Sequence, residues 1–152
     1  MQTTIFDWKR TLYDPERLRL IDGTIPLLKF LKANKIKTVL IGKGGDDMIN
    51  EVKRLKVMSF FSHIIFVGDR KTTSAFRPFL TKDPRDTLVV GDRVQVEIEL
   101  GNSLGTKTAW IRQGTFASEM PINKKQKPTY VFSSLKNLLI FLQKQINGED
   151  PD

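Results

Sequence analysis

The stretch "TLVVGDRVQVEIELGNSLGTKTAWI", Thr87 to Ile111, decides the fold of this chain. It opens on Thr87–Val90, an apolar run without alternation and rich in β-branched residues, the pattern of a strand buried on both faces. Gly91-Asp92-Arg93 interrupts the run, Val94–Leu104 carries helical spacing, and Thr108–Ile111 is a second strand-like run. Strand, polar turn, helix, strand is the repeating unit of an open α/β sheet with right-handed crossovers. In such sheets ligands bind outside the carboxyl ends of the strands, which is where Asp92 stands.

The same alternation continues in both directions. Thr3–Phe6, Thr38–Ile41 and His63–Val67 read as further buried strands, and Tyr130–Phe132 as a weaker one. Helices are expected at Ile25–Leu31 with Thr24 as cap, at Met48–Leu55 behind Asp46 and Asp47, and at Ser74–Leu80. The clearest is Leu135–Ile146, with Leu138, Leu139 and Leu142 on one face and Ser133 or Ser134 as cap. The expected fold is therefore a three-layer, Rossmann-like open parallel sheet flanked by helices. Residues 1–146 form one α/β domain in this reading, and 147–152, within the polar tail "NGEDPD", are expected to fray. The strand ends gather Asp7, then "GKGG" at Gly42–Gly45, "GDRK" at Gly68–Lys71 and "GDR" at Gly91–Arg93 on one rim.

Composition narrows the chemistry. The 152 residues contain no cysteine, which excludes disulfides, thiolate catalysis and zinc-thiolate sites and fits a reducing, cytoplasmic setting. One histidine, His63, excludes a multi-histidine metal site. No apolar stretch approaches the roughly 18 residues of a membrane span, and the N-terminal residues do not have the pattern of a secretory signal. The formal charge of +8 favours anionic partners. The basic residues are spread along the chain, and the densest run, Lys124–Lys127, has no interleaved aromatics. Nucleic acid is compatible with the charge but has no motif behind it; a homo-oligomer is also left open.

With these motifs in place, the chain resembles the haloacid dehalogenase-like (HAD) hydrolase superfamily over nearly its whole length. The first family motif, Asp-x-Asp-x-Thr after a strand, is matched by Asp7, Lys9 and Thr11; the second, a hydroxyl residue, falls on Gly42. The third, a lysine ahead of a helix, falls on Lys71, and the fourth on Asp92 and Glu97. The resemblance implies a phosphate monoester hydrolase in which Asp7 attacks phosphorus and an aspartyl-phosphate is then hydrolysed. It implies Mg²⁺ held by Asp7, the backbone carbonyl of Lys9, and Asp92, with Glu97 reaching the ion directly or through water. Lys71 would offset charge, and Thr11 and the backbone near Gly42 would bind phosphate oxygens.

Two departures stand out. Lys9 replaces the carboxylate that protonates the leaving group and activates water, a role worth roughly 10²–10⁴-fold. Gly42 removes a hydroxyl, for which Lys43 and a backbone nest in "GKGG", Gly42–Gly45, with Gly44 in it, could compensate. Lys9 could also pair with Asp7 or Asp92; two lysines against three carboxylates would then keep the site ordered without metal and leave little thermal shift on adding Mg²⁺. The alternative to catalysis is a degenerate member that binds a phosphorylated ligand or protein partner. About 34 residues lie between Asp7 and Gly42 and about 28 between Gly42 and Lys71, too few for a cap domain. Residues 12–23 are expected to form a small flap, leaving a crevice open to a phosphorylated small molecule or macromolecule.

Overall fold

In the computed structural model, which describes residues 1–148, the chain alternates strands and helices from the first turn onward. The strands are β1 (Thr3–Phe6), β2 (Tyr13–Asp14), β3 (Arg19–Leu20), β4 (Lys37–Lys43), β5 (His63–Val67), β6 (Thr87–Gly91), β7 (Lys107–Ile111) and β8 (Tyr130–Phe132). The helices are α1 (Thr24–Ala33), α2 (Asp46–Arg54), the single-turn α3 (Thr73–Phe76), α4 (Glu99–Ser103) and α5 (Leu135–Ile146). Six strands form one sheet in the order β5-β4-β1-β6-β7-β8, and every pairing in it is parallel. The α/β fold expected from the strand–helix alternation is the fold observed.

Period-two alternation explains why the strands read as unbroken apolar runs. Phe6, Leu40, Leu88, Val90, Ala109 and Ile111 face a core shared with the α1 and α5 leucines. Ile5, Val39, Ile41 and Val89 point the opposite way, onto Phe76, Leu100 and Leu104. Both faces are covered, so neither tolerates the polar alternation of a half-exposed sheet. Among the described residues, no helix is long and apolar enough to cross a membrane.

The topology places the crevice. From β1 the chain steps outward to β4 and β5, then returns to the other side of β1 to build β6, β7 and β8. The order reverses between β1 and β6, where diverging connections leave a gap at the carboxyl ends. The register pairs Phe6 with Val90 there, so Asp7 and Gly91 follow side by side.

Local details differ from the sequence reading. Thr24 does not cap α1: Gly23, at φ 92°, precedes the helix, while the Thr24 hydroxyl donates to the Leu12 carbonyl at 3.1 Å and ties the helix to the flap. Ser134 does cap α5, accepting from the Asn137 N–H. The helix expected at Ser74–Leu80 is one α-turn followed by a 3₁₀ turn at Arg77–Phe79, because Pro78 has no N–H to continue the ladder. Val94–Leu104 begins as a π-turn over Val94–Ile98 before tightening into α4. The flap is the antiparallel hairpin β2–β3. Asn147 and Gly148 close α5, and the rest of the tail expected to fray lies outside the described residues.

Candidate active site

Asp7 leaves β1 at the switch point with its N–H bonded to the Val90 carbonyl at 3.0 Å. The chain then turns sharply, with the N–H groups of Thr11, Leu12 and Tyr13 all donating to the Trp8 carbonyl and Arg10 in a left-handed conformation (φ 65°). This turn brings the buried Thr11 hydroxyl back to Asp7 Oδ2, 3.0 Å away. Asp92 follows β6, and its carbonyl is pinned by the Trp110 indole N–H at 2.9 Å. Glu97 lies in the π-turn, with its side chain packed over Gly91: a Cβ on that glycine would sit 2.5 Å from the Glu97 Cβ. The site needs glycine at 91 because the glutamate occupies that space.

Lys71, only 3% exposed at its side chain, reaches into this group. Its ammonium donates to Asp7 Oδ1 and, at 2.8 Å, to Glu97 Oε1. Burial opposes its charge, but Asp7 and Glu97 outweigh burial and hold its pKa above the ordinary lysine range. The carboxylates respond in the opposite sense. Burial first, then the Asp7 charge, push Asp92 up to about 9. The same two causes push Glu97 up to about 7 despite Lys71 beside it. One buried cation therefore does not balance three clustered carboxyl groups.

The residues present fit a divalent cation. One oxygen from each of Asp7, Asp92 and Glu97 lies within 4.8 Å of the others. Asp92 Oδ2 and Glu97 Oε2 are buried acceptors without a donor. Buried oxygens in that condition are costly, and a hard cation takes oxygen ligands of this kind.

A cavity of about 420 Å³ opens above the cluster, lined by Asp7, Lys9, Lys43, Lys71, Asp92 and Glu97 among the residues expected from the sequence. Thr11, Gly42 and Gly44 do not line it. Thr11 acts from beneath, through Asp7. Gly42 is walled off, since a Cβ there would lie 2.6 Å from Phe66 Cε1 and 2.9 Å from Trp8 Cβ. The Gly44–Gly45 nest is also spent: the Gly44 N–H donates to the Val67 carbonyl and the Gly45 N–H to Asp47 Oδ1. Lys9 is half-buried in the crevice and, among the described residues, has no carboxylate within salt-bridge distance; Asp7 pairs with Lys71 instead, which also holds Glu97. The two-lysine charge balance thus has no ion pair from Lys9 behind it among the described residues.

Arg10, Arg70, Arg93, Val96 and Phe116 complete the lining and were not singled out from sequence. The arginines follow strand ends beside the motif residues, a positional signal that could have been read. Phe116 comes from the long β7–β8 connection and has no such signal. Its ring lies 4.0 Å from the Arg93 guanidinium and 5.7 Å from that of Arg10. Arg93 is paired with Glu119 and Arg10 with Glu16, so this wall is internally neutralised.

Comparison with known proteins agrees with this geometry. The chain is 30% identical over 144 residues to the glyceraldehyde 3-phosphate phosphatase of Pyrococcus furiosus, covering 89% of this chain and 59% of that protein. It is 26% identical over 147 residues to the N-acylneuraminate-9-phosphatase of Mus musculus, covering 91% of this chain and 57% of that one. The chain thus spans less than three-fifths of the length of these curated relatives. A HAD-superfamily hydrolase from Ehrlichia chaffeensis superposes with a TM-score of 0.74 at 16% identity, covering 96% of this chain and 98% of that chain, and shares the fold. Residues 40–138 match the HAD-hydrolase-like family, and with the parallel sheet and its carboxylate–lysine cluster this places the chain among the HAD-like hydrolases.

Proposed function

We propose that this protein hydrolyses phosphate monoesters through Asp7, with a divalent cation such as Mg²⁺. The observation that carries the reading is the buried Asp7, gripped by Lys71 and Thr11 at the floor of a basic crevice. A carboxylate so held is fixed in position, with an ammonium and a hydroxyl on its two oxygens, as a positioned nucleophile requires. The named activities of the Pyrococcus furiosus and Mus musculus relatives, both phosphatases, support the same class.

Asp7, Asp92, the Lys9 carbonyl and Glu97 would hold the cation, which supplies charge neutralisation for the transferring phosphoryl group. Asp7 forms a new O–P bond as the ester P–O bond breaks, and the leaving oxygen takes a proton. Lys71 sets its positive charge beside Asp7 and offsets the charge of the incoming phosphate. A water oxygen then displaces Asp7 from phosphorus, giving up a proton. Lys9 stands where a carboxylate would serve both proton transfers. An ammonium can give the leaving oxygen its proton but is a weaker acid than a carboxyl group, and the neutral amine it then becomes takes the proton of the attacking water. The first step is therefore the slow one in this reading.

The test is hydrolysis of an aryl phosphate with and without Mg²⁺ by the native protein, Lys9→Asp and Asp7→Asn. Turnover by the native protein, raised in Lys9→Asp and absent in Asp7→Asn, is the expected result. Turnover retained in Asp7→Asn removes the nucleophile assignment. One feature favours a second reading, ligand binding without turnover: Lys9 and Gly42 together lack the carboxylate and the hydroxyl. Activity in Lys9→Asp alone would select it.

A further inference from the structure

We infer that the crevice takes a small substrate with a second anionic group, a phosphate or a carboxylate, beyond the phosphoryl group presented to Asp7. This deepens the proposed phosphatase reading and rests on it. Beyond the buried Lys71, the cations lining the crevice fall into two groups. Arg10 and Arg93 flank Phe116 and are already neutralised by Glu16 and Glu119. The remaining cations, Lys9, Lys43 and Arg70, line the same cavity, and none has a carboxylate partner among the described residues. Three cations without carboxylate partners along one cleft raise its positive potential and draw in anions.

The scissile phosphoryl group does not account for all three. Its floor already holds Lys71 and a carboxylate cluster suited to a divalent cation. The cavity, about 420 Å³, has room for a metabolite rather than a lone phosphate, since small-molecule pockets run to roughly 300–1,000 Å³. Lys43 and Arg70 sit at the ends of different strand connections, following β4 and β5, so a second anion between them would lie on the β5 side of Asp7. The apolar Phe116 on the opposite side then covers the uncharged body of the substrate. A small bis-anionic ligand matches this division of charge. A polymer end is disfavoured, because the densest basic run, Lys124–Lys127, has no interleaved aromatics on which bases could stack.

The experiment compares matched pairs at low salt: fructose 1,6-bisphosphate against fructose 6-phosphate, and 6-phosphogluconate against glucose 6-phosphate, with a 5′-phosphorylated oligonucleotide as a further arm. The expected result is a kcat/KM at least about tenfold higher for the bis-anionic member of one or both pairs. The Lys43→Gln/Arg70→Gln double variant should collapse that ratio mainly through KM. A ratio near one in the native protein, a ratio that survives the double variant, or preference for the oligonucleotide would overturn the inference while leaving the hydrolase reading standing. If nothing is hydrolysed, calorimetric titration of Asp7→Asn with the same pairs decides. Tighter binding of the bis-anionic member keeps the second subsite and removes the hydrolase reading. Equal or absent binding removes the subsite.

Discussion

Lys71 carries more of this site than any other side chain. It is the single buried cation among Asp7, Asp92 and Glu97, and its replacement by methionine keeps the length of the side chain while removing the charge. Breaking a buried pair from one side costs about 3–5 kcal/mol because the other charge is left without its partner. Lys71→Met is expected to lose that much stability at pH 8 and distinctly less at pH 5, where the carboxyl groups can take up protons instead. Urea unfolding at the two pH values measures it, and an equal loss at both would show that Lys71 contributes packing rather than charge. At the neighbouring position 9, Lys9→Asp should raise aryl phosphate turnover by about 10²-fold or more, the worth of a positioned general acid–base. A Lys9→Ala variant that gained as much would mean that the lysine merely obstructs.

At the level of elements, the ends of β4 and β6 show how backbone and side chain compete for the same space. Gly42 replaces a hydroxyl residue not as a loose turn but as a buried strand position closed by the Phe66 ring and the Trp8 side chain. Restoring the hydroxyl therefore comes with a clash. Gly42→Thr is expected to destabilise by about 1–3 kcal/mol, as overpacked core substitutions do. Gly42→Thr/Phe66→Leu should recover much of that loss, measurable as the midpoint of chemical denaturation. Failure of the second change to help would place the strain elsewhere in β4. The π-turn after β6 has a comparable logic. Its wider winding lets the Glu97 side chain fold over Gly91 toward Lys71, while the Trp110 N–H from β7 holds the Asp92 carbonyl.

Across the whole molecule, the raised carboxyl groups couple stability to pH and to metal. Asp92 and Glu97 take up protons more readily folded than unfolded, so the stability they contribute is present at low pH. It drains away as pH rises through about 7 for Glu97 and about 9 for Asp92. The metal-free protein should therefore lose thermal stability between pH 6 and pH 9. Mg²⁺ should raise the melting temperature more at pH 8.5 than at pH 6, because the ion takes the place of protons that high pH has removed. Calorimetry in EDTA and in Mg²⁺ measures both slopes; a profile flat in pH and indifferent to Mg²⁺ would mean that the cluster holds no cation.

The β-branched runs, their spacing and the strand-end residues Asp7, Lys71 and Asp92 were legible in the sequence because they depend on local periodicity and chain order, whereas Glu97 was legible only through the family resemblance. An apolar run without alternation has to be buried on both faces, and alternating strands and helices leave few topologies. Where each side chain spends its hydrogen bonds was not legible, because that depends on contacts between residues far apart in the chain. Lys9 and Lys71 are both lysines beside carboxylates in the motif pattern, yet only Lys71 is brought from across the sheet to bond Asp7 and Glu97. Gly42 reads as a residue just past its strand until Phe66, from the adjacent strand, is seen to fill its side-chain space. Phe116 has no local signature and joins the crevice only because the β7–β8 connection folds back over Arg10 and Arg93. Periodicity and order fix the scaffold, while long-range packing and charge decide which of its residues can meet.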